Sequence, residues 1–371
     1  MLFLLFACTA EKNFDTAQID TTIDTDTNTD TNTDESCFAS TPQEPYLVYA
    51  TPYRADGSPV SDWIFLPKSG TAQNFSMGRA TIGEVSISSD GSWGVVPQQD
   101  GSVGVFQVQE GTLVVLQESL ILTTANQDIY TSQVWLDSQN GRLWITDSNW
   151  PNNGGGLFVA DIDCETGQIA IAEDVFRSKN ALGAVPFSED SMIFLSREVN
   201  DNAQQITIFN DETYEMIYTA QAFDDDDSIF SSLATDGENI LVGDNATFSG
   251  IPNRISHLKM SNNALERETI IEVEDPMDMK IYADQALIAS GFGDALWQYN
   301  LTDYSLTRLS LSPIVELPAA IVQHEADFYT AENTAIRHLR LENGIFVDQG
   351  LLVDTTGVEG IIGAIGVFGE H

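Results

Sequence analysis

The sequence predicts an all-β fold built from repeated antiparallel units, and three observations support this prediction. First, the stretch from Gly83 to Leu122 holds four short apolar runs that alternate with period two, separated by turns rich in Gly, Asp and Ser. Second, the same unit returns down the chain, with equivalent residues about 40 to 52 positions apart. Third, the two ends of the chain supply strands that a closed ring of such units would otherwise lack.

Each repeat begins with an apolar strand, a tight turn that carries Asp or Glu, and a second apolar strand. The six repeats start at Gly83, Ser132, Leu182, Ser231, Met277 and Ala319. A third apolar strand follows in each, centred on Phe106, Phe158, Phe209, Leu258, Trp297 and Leu339. A four-stranded unit at this period is typical of a β-propeller blade.

The chain ends predict how the ring closes. Pro45 to Gly70 supplies two strand-like runs but no preceding first strand, and Val358 to Phe368 supplies one apolar strand with none after it. If this terminal strand enters the blade begun at the N-terminal end, the ring closes with seven blades. Closure of this kind removes the exposed sheet edges that invite aggregation. The predicted fold is therefore a seven-bladed β-propeller closed by pairing of N- and C-terminal strands.

The turns and strands also carry a family resemblance. With its SSDG turn at Ser88 to Gly91, its ATDG turn at Ala234 to Gly237, and its ITD- and VFQV-type strands, the chain resembles the YVTN and lactonase-like propellers. These propellers share their overall shape with the WD-repeat proteins. The resemblance covers roughly residues 45 to 371. No blade carries a full YVTN tetrapeptide or ends in a WD dipeptide. The resemblance implies the fold, and a shared propeller does not transfer an activity.

The charge of the chain excludes some partners. The 56 acidic and 15 basic side chains give a net charge of −41, and 42% of the residues are hydrophobic, enough for a sizeable core. The segment from Thr9 to Ser36 holds eight acids and one base, so about −34 belongs to the rest of the chain. A surface of this sign repels nucleic acid and anionic lipid headgroups. We therefore expect no nucleic-acid partner, and membrane contact only through an anchor.

Such an anchor is predicted at the N-terminus. Leu5-Phe6-Ala7-Cys8 resembles the end of a bacterial lipoprotein signal peptide with its lipobox, and the resemblance implies that Cys8 is lipidated. Phe6 departs from the usual small or aliphatic residue. The apolar run is also short and lacks a positively charged start, which predicts that the true start codon lies upstream or is misassigned. The alternative is an apolar terminus without order.

An acidic tether is predicted between this anchor and the folded body. Asp15 to Ser36 is an Asp/Thr/Asn tract that cannot bury enough apolar surface to offset its ordering entropy, and charge repulsion keeps it extended. The predicted organisation is thus a signal remnant with lipobox (1–8), a disordered tether (9–40) and a propeller (41–371). Tethers of this composition resemble those of Gram-negative surface lipoproteins, which implies an extracytoplasmic protein anchored to the outer membrane or cell surface. In such an oxidising compartment Cys37 and Cys164 are candidates for a disulfide, with two unpaired thiols as the alternative.

Catalytic signatures are scarce in this sequence. It contains no G-x-S-x-G elbow, no P-loop, no G-x-G-x-x-G and no H-E-x-x-H. Its four histidines are scattered, and His257 and His338 occupy equivalent third-strand positions, which favours a packing role over a zinc site.

The long loops are the predicted binding region, since long loops on a rigid scaffold commonly carry binding residues. Loops between the second and third strands, and the links between blades, open on one face of a propeller. The long ones span Ser148 to Gly156, Arg197 to Gln204, Ala222 to Ser228 and Asp244 to Asn253, on consecutive blades. We expect them to crowd one sector of that face.

Three sets of residues in or beside these loops are candidates for binding. Asp224, Asp225, Asp226 and Asp227 are candidate oxygen ligands for Ca²⁺, with a solvated acidic loop as the alternative. Candidates for holding a carboxylate or phosphate are Arg177, Arg197 and Arg254, with pairing to nearby aspartates as the alternative. Trp150 is a candidate aromatic contact for sugar or peptide, or else a loop residue packed on its blade.

Three functions remain open on the sequence. The favoured one is a lipid-anchored binding or assembly module at the bacterial envelope, with an envelope protein, peptide or glycan as ligand. An alternative is a lactonase-like hydrolase, whose relatives place carboxylates and Asn around a divalent metal in the central channel; Asp147 and Asn149 are the candidate residues. A structural surface protein is the third. Inward-facing acids at the channel mouth would favour the enzyme, and an apolar patch on the rim would favour the binding module.

Overall fold

The structure, a computed structural model, is organised by pairing between the two ends of the chain. It describes residues 43–54, 57–125, 127–138, 140–148, 155–178, 180–197, 204–223, 230–245, 252–261, 264–354 and 361–369, with the backbone alone at 180, 197, 204 and 230. These residues all lie in one unit, Ser36–His371. Their regular structure is entirely β, with 29 strands in seven sheets.

The strands from the N-terminal end to the middle of the ring are β1 (Tyr46–Tyr53), β2 (Pro59–Pro67), β3 (Gln73–Phe75), β4 (Gly83–Glu84), β5 (Ser86–Ile87), β6 (Trp93–Pro97), β7 (Val103–Gln109), β8 (Thr112–Leu120), β9 (Thr131–Asp137), β10 (Arg142–Asp147), β11 (Gly155–Ile162), β12 (Ile169–Ser178), β13 (Asn180–Ser188), β14 (Ser191–Arg197), β15 (Gln204–Asn210) and β16 (Met216–Gln221). The remaining strands are β17 (Phe230–Thr235), β18 (Asn239–Asp244), β19 (Arg254–Ser261), β20 (Ala264–Glu272), β21 (Pro276–Tyr282), β22 (Gln285–Ser290), β23 (Ala295–Asn300), β24 (Leu306–Arg308), β25 (Ala320–His324), β26 (Asp327–Ala331), β27 (Ala335–Glu342), β28 (Ile345–Asp354) and β29 (Ala364–Phe368).

Six of the sheets are blades of four consecutive antiparallel strands. Blades 2 to 7 consist of β5–β8, β9–β12, β13–β16, β17–β20, β21–β24 and β25–β28. The first strand of each blade is innermost and contacts the first strand of the next blade, so that the sheets follow one another around a ring. The six sequence repeats therefore correspond to these six blades.

Blade 1 joins the two ends of the chain. Its strand order is β3-β2-β1-β29, and β29 is the innermost strand, antiparallel to β1 from Tyr46 opposite Phe368 to Ala50 opposite Ala364. The short strand β4 pairs in parallel with β29 and leads into blade 2. The predicted seven-bladed propeller, closed by the terminal strand, is confirmed. The strand itself is shorter than the apolar run that predicted it.

The inner strands send alternate side chains toward the two neighbouring blades. In β21, Met279 and Ile281 are buried in an apolar cluster between blades, whereas the intervening residues Asp278 and Lys280 are not part of that cluster. Other inner strands are apolar on both faces: in β25, Ala320 and Val322 belong to one cluster and Ile321 belongs to another. Asp278 and Lys280 are therefore unusual as charged residues on an inner strand.

Side chains on the inner strands hydrogen-bond to the neighbouring blade. Ser86 Oγ accepts from the backbone N–H of Leu136 at 2.7 Å, and Gln133 Oε1 accepts from that of Ala184 at 3.0 Å. Ser231 Oγ donates to the carbonyl of Pro276 at 2.6 Å. These bonds satisfy backbone groups that have no partner within their own sheet, and they hold adjacent blades in register.

The closing strand also packs against the SSDG turn of blade 2. Gly91 has φ of +72°, in the left-handed region that favours glycine, and a Cβ at this position would run into the ring of Phe368. Tyr46 donates its hydroxyl hydrogen to the Gly91 carbonyl at 2.8 Å. The turn that carries the family resemblance therefore also contacts the point of ring closure.

The ring has two distinct faces. We call the face at which each innermost strand begins the top face; it carries the links between blades and the loops between second and third strands. The bottom face carries the tight turns between first and second, and between third and fourth, strands. Across the part of the chain that the structure describes, no helix is long and apolar enough to cross a membrane.

Candidate functional site

The predicted channel candidate Asp147 lies at the end of β10 on the top face. Its side chain is fully buried, and Oδ1 accepts a hydrogen bond from the backbone N–H of Tyr130 at 3.1 Å. This bond ties the second strand of blade 3 to the link that enters the same blade. Its predicted partner Asn149 lies outside the described residues, so a metal role for the pair stays a prediction.

Two of the predicted arginines are paired with aspartates of their own blades. Arg254 donates from Nε to Asp244 at 2.9 Å and lies over the ring of Phe223, 4.5 Å from its centroid. Arg177 donates from Nε to Asp174 at 2.7 Å. At both positions the structure therefore shows the alternative, in which the arginine pairs with a nearby aspartate. Binding of an external anion by either residue stays a prediction.

Several predicted residues lie outside the described part of the chain. These are Cys8, Cys37, Trp150, Asp224, Asp225, Asp226, Asp227 and the side chain of Arg197. The proposed Ca²⁺ loop and the aromatic contact therefore stay predictions. Cys164 is disulfide-bonded, and the other two cysteines of the sequence, Cys8 and Cys37, are both in the undescribed part, so the pairing with Cys37 also stays a prediction.

The two predicted packing histidines occupy equivalent positions, opposite the third residue of each second strand. His257 is buried between the Tyr299 hydroxyl, 2.9 Å from Nδ1, and Asn239 Oδ1, 3.1 Å from Nε2. Burial lowers the pKa of His257. His338 stacks on Tyr329 with ring centroids 4.8 Å apart. The ring of His257 therefore lies between blades 5 and 6, and that of His338 packs within blade 7.

The central channel contains an ion pair that the sequence analysis missed. Lys280, on the inner strand of blade 6, pairs with Glu84 on β4, reaching past blade 7. Asp278 lies two residues before Lys280 and accepts a hydrogen bond at Oδ2 from the backbone N–H of Ile321, at 2.7 Å. The signal was the sequence MDMKIY, in which two charged residues alternate with the buried Met279 and Ile281.

Burial controls the protonation of this cluster. It raises the pKa of Asp278 to about 6; Lys280 and the N–H of Ile321 lower it, and Glu84 raises it. The pKa of Lys280 is also raised: burial alone would lower it, but the two carboxylates outweigh burial. Two acids and a lysine therefore lie together on the inner strands. The lysine, however, neutralises part of their charge.

The channel cluster predicts a pH dependence of stability. Because the folded-state pKa of Asp278 lies above its unfolded value, the contribution of this group is fully present below about pH 4 and is lost as the pH rises through about 6. Relative to Asp278→Asn, the wild type should lose on the order of 2 kcal/mol of unfolding free energy between pH 4.5 and 7.5. Urea unfolding of both proteins across that range measures this difference. If the unfolding free energy of the wild type relative to Asp278→Asn stays constant or rises with pH, the raised pKa of Asp278 is contradicted.

The top face carries an arc of exposed apolar side chains. Among the described residues, five large ones lie on its loops and links, with exposed fractions from 45% to 75%: Ile82, Ile121, Tyr130, Phe292 and Ile314. Ile314, at 75%, is the most exposed large apolar side chain in the described part of the chain. They fall on the links entering blades 2, 3 and 7 and on a loop of blade 6. We call this set the apolar rim.

The described residues do not assemble a protein-only metal site. No group of three or more His, Cys, Asp or Glu side chains among them is arranged to hold a metal ion.

Comparison with known proteins agrees with the fold. No protein-family model matches the chain, and no curated protein matches its sequence. A Bacteroides uniformis protein assigned as a 6-phosphogluconolactonase superposes with a TM-score of 0.59 at 12% identity, over 88% of this chain and 99% of its own. A Lactobacillus plantarum protein gives 0.58 at 12% identity, over 88% and 100%. Saccharomyces cerevisiae Sqt1 gives 0.53 at 12% identity, over 85% and 83%.

These neighbours are lactonase-like and other propellers, in agreement with the resemblance read from the turns. At such identities the likeness establishes the fold alone.

Proposed function

We propose that this protein is a lipid-anchored, extracytoplasmic propeller that acts as a binding or assembly module at the bacterial cell envelope. The observation that carries the binding role is the apolar rim, because large apolar side chains exposed on the loops of a rigid scaffold favour an interaction site. The ligand is an envelope protein, peptide or glycan, and the top face is the surface that receives it.

Three observations support the location. The Leu5 to Cys8 segment resembles a lipobox, and an acidic low-complexity tract follows it. Cys164 is disulfide-bonded, and disulfides persist mainly in oxidising compartments outside the cytoplasm. An extended tether after a lipidated cysteine would hold the propeller away from headgroups that its negative surface repels.

Photo-crosslinking in cells tests the binding role. A benzoylphenylalanine at Ile121 or Phe292 on the top face should give crosslinked products in the membrane fraction. The same residue at Tyr282 or Ile345 on the bottom face is the matched control, since all four positions are exposed. Equal crosslinking from both faces, or from neither, would argue against a top-face binding module.

The anchor is tested in the same cells with a complete signal sequence restored. The wild type should partition with membranes, and Cys8→Ser should be released or left unprocessed. Equal membrane partitioning of both proteins would remove the anchor from the proposal while leaving the binding role in place.

The lactonase-like hydrolase remains the alternative; one neighbour of the same fold is assigned as a 6-phosphogluconolactonase. The channel cluster and Asp147 are the titratable groups that would take part. Hydrolysis of sugar lactones by the purified protein, lost in Asp147→Asn while the melting temperature is retained, would replace the binding proposal with this one.

A further inference from the structure

The most exposed part of the apolar rim lies where blades 6 and 7 meet. Phe292, on the loop between β22 and β23, is 53% exposed, and Ile314, on the link between β24 and β25, is 75% exposed. The loop and the link are bonded to each other, since the N–H of Leu317 donates to Asp294 Oδ1 at 2.8 Å. We call the loop Gly291 to Asp294 and the link Pro313 to Leu317 the blade 6–7 patch.

The patch is held rigidly from below. The carbonyl of Pro313, next to Ile314, accepts a hydrogen bond at 2.8 Å from Nη2 of Arg337, a fully buried arginine on β27. Asn333 donates its backbone N–H to the Glu316 carbonyl at 2.8 Å. Arg308 donates to the Asp294 carbonyl at 2.9 Å. Loops fixed in this way lose little conformational entropy when a partner binds, which favours affinity.

The charge around the patch determines which partner it suits. The patch itself includes the exposed carboxylates of Asp294 and Glu316, and exposed Glu274 lies beside Gly293. The exposed cation Arg308 is already bonded to backbone carbonyls. The whole chain has a net charge of −41, so a second copy, an anionic lipid surface and nucleic acid are all repelled. Exposed aromatic and aliphatic side chains that lie among carboxylates form a surface complementary to an apolar segment flanked by lysine or arginine.

We propose that the blade 6–7 patch docks a cationic polypeptide segment, whose apolar side chains pack on Phe292 and Ile314 while its basic side chains pair with Glu274, Asp294 and Glu316. This inference rests on the proposed binding function and narrows it to one partner class and one sector. Small separate contacts of this kind give modest affinity with marked salt dependence, because the ion pairs are exposed.

Fluorescence anisotropy with short labelled peptides tests this proposal. The probe alternates lysine with leucine and phenylalanine; one control peptide carries glutamate for lysine, and another carries serine for the apolar residues. The wild type should bind the probe at low salt and bind neither control. Phe292→Ser with Ile314→Ser should weaken probe binding about tenfold or more. Glu274→Gln with Glu316→Gln should weaken it several-fold and flatten its salt dependence.

Matched variants guard against non-specific attraction to an acidic protein. Met216→Ser with Ile217→Ser removes two apolar side chains of similar exposure from blade 4, and Glu173→Gln with Glu189→Gln removes two exposed charges elsewhere. Both pairs should bind the probe like the wild type, and every variant should keep its melting temperature because the altered side chains are exposed.

The proposal would be overturned if the matched pairs weakened probe binding as much as the patch variants do. It would also be overturned if the glutamate peptide bound as well as the probe, or if the probe did not bind. Top-face crosslinks that persist in cells alongside such a result would leave the broader binding function standing. If both experiments fail, the binding function falls as well.

Discussion

Deleting Val358 to His371 is expected to abolish cooperative unfolding or to lower the melting temperature by about 10 °C or more. The deletion removes β29, the innermost strand of blade 1, and exposes the edge of β1 to which it was bonded. Ile362 and Ile365 are fully buried, and burial of each contributes about 1.5–3 kcal/mol. That sum is a large part of the 5–15 kcal/mol by which domains are typically stable.

Differential scanning calorimetry measures this effect, and deletion of Glu370 and His371 alone is the matched control, because it leaves β29 intact. The longer deletion should also increase aggregation, since an unpaired edge strand is a template for further pairing. A protein lacking Val358 to His371 that melts within about 2 °C of the parent would mean that the chain ends do not close the ring.

Arg337→Met is expected to cost about 3–5 kcal/mol of unfolding free energy. The guanidinium is fully buried and donates to Glu332 Oε1 at 2.7 Å, to Asp348 Oδ2 at 2.8 Å and to the Pro313 carbonyl. Burial already raises the pKa of Glu332, and the hydrogen bond from Arg337 opposes that rise. Methionine would leave Glu332 buried without its compensating charge.

Urea unfolding quantifies this loss, and the double variant Arg337→Met with Glu332→Gln should recover part of it, since the uncompensated carboxylate is gone. Lys259→Met is the control: its ion pair with Glu238 is exposed and should be worth less than about 1 kcal/mol. Arg337→Met should also weaken binding of the cationic probe, because the link that carries Ile314 loses its anchor. An Arg337→Met loss no larger than that of Lys259→Met would contradict the buried network.

The repeat was predictable because each blade uses the same physical devices. Period-two apolar runs and Asp-bearing turns recur at Gly83, Ser132 and the later repeats, and each pair of runs forms the first two strands of a sheet. Ring closure followed from the chain ends, since one end lacked a first strand and the other supplied one. Such patterns are local in sequence, and local patterns carry over directly into antiparallel sheets.

The candidate sites were less predictable because they depend on contacts between blades. Lys280 and Glu84 are 196 residues apart and meet only through the curvature of the ring. Arg254 drew attention as one of few arginines, but its partner Asp244 is at the start of its own loop and neutralises it. The exposure of Ile314 depends on how blades 6 and 7 pack. Sequence periodicity contains none of this information.

Hydrogen–deuterium exchange on envelope vesicles tests the central claim. This claim is that the top face binds a partner when the protein is anchored to the membrane. The exchange of each peptide in the anchored protein is compared with that of the purified propeller. We expect slower exchange in the top-face segments 121–130, 291–294 and 313–317, and unchanged exchange in the bottom-face turns around Gly91, Tyr282 and Asn343. Slower exchange confined to the bottom turns, or identical exchange in both preparations, would contradict the account.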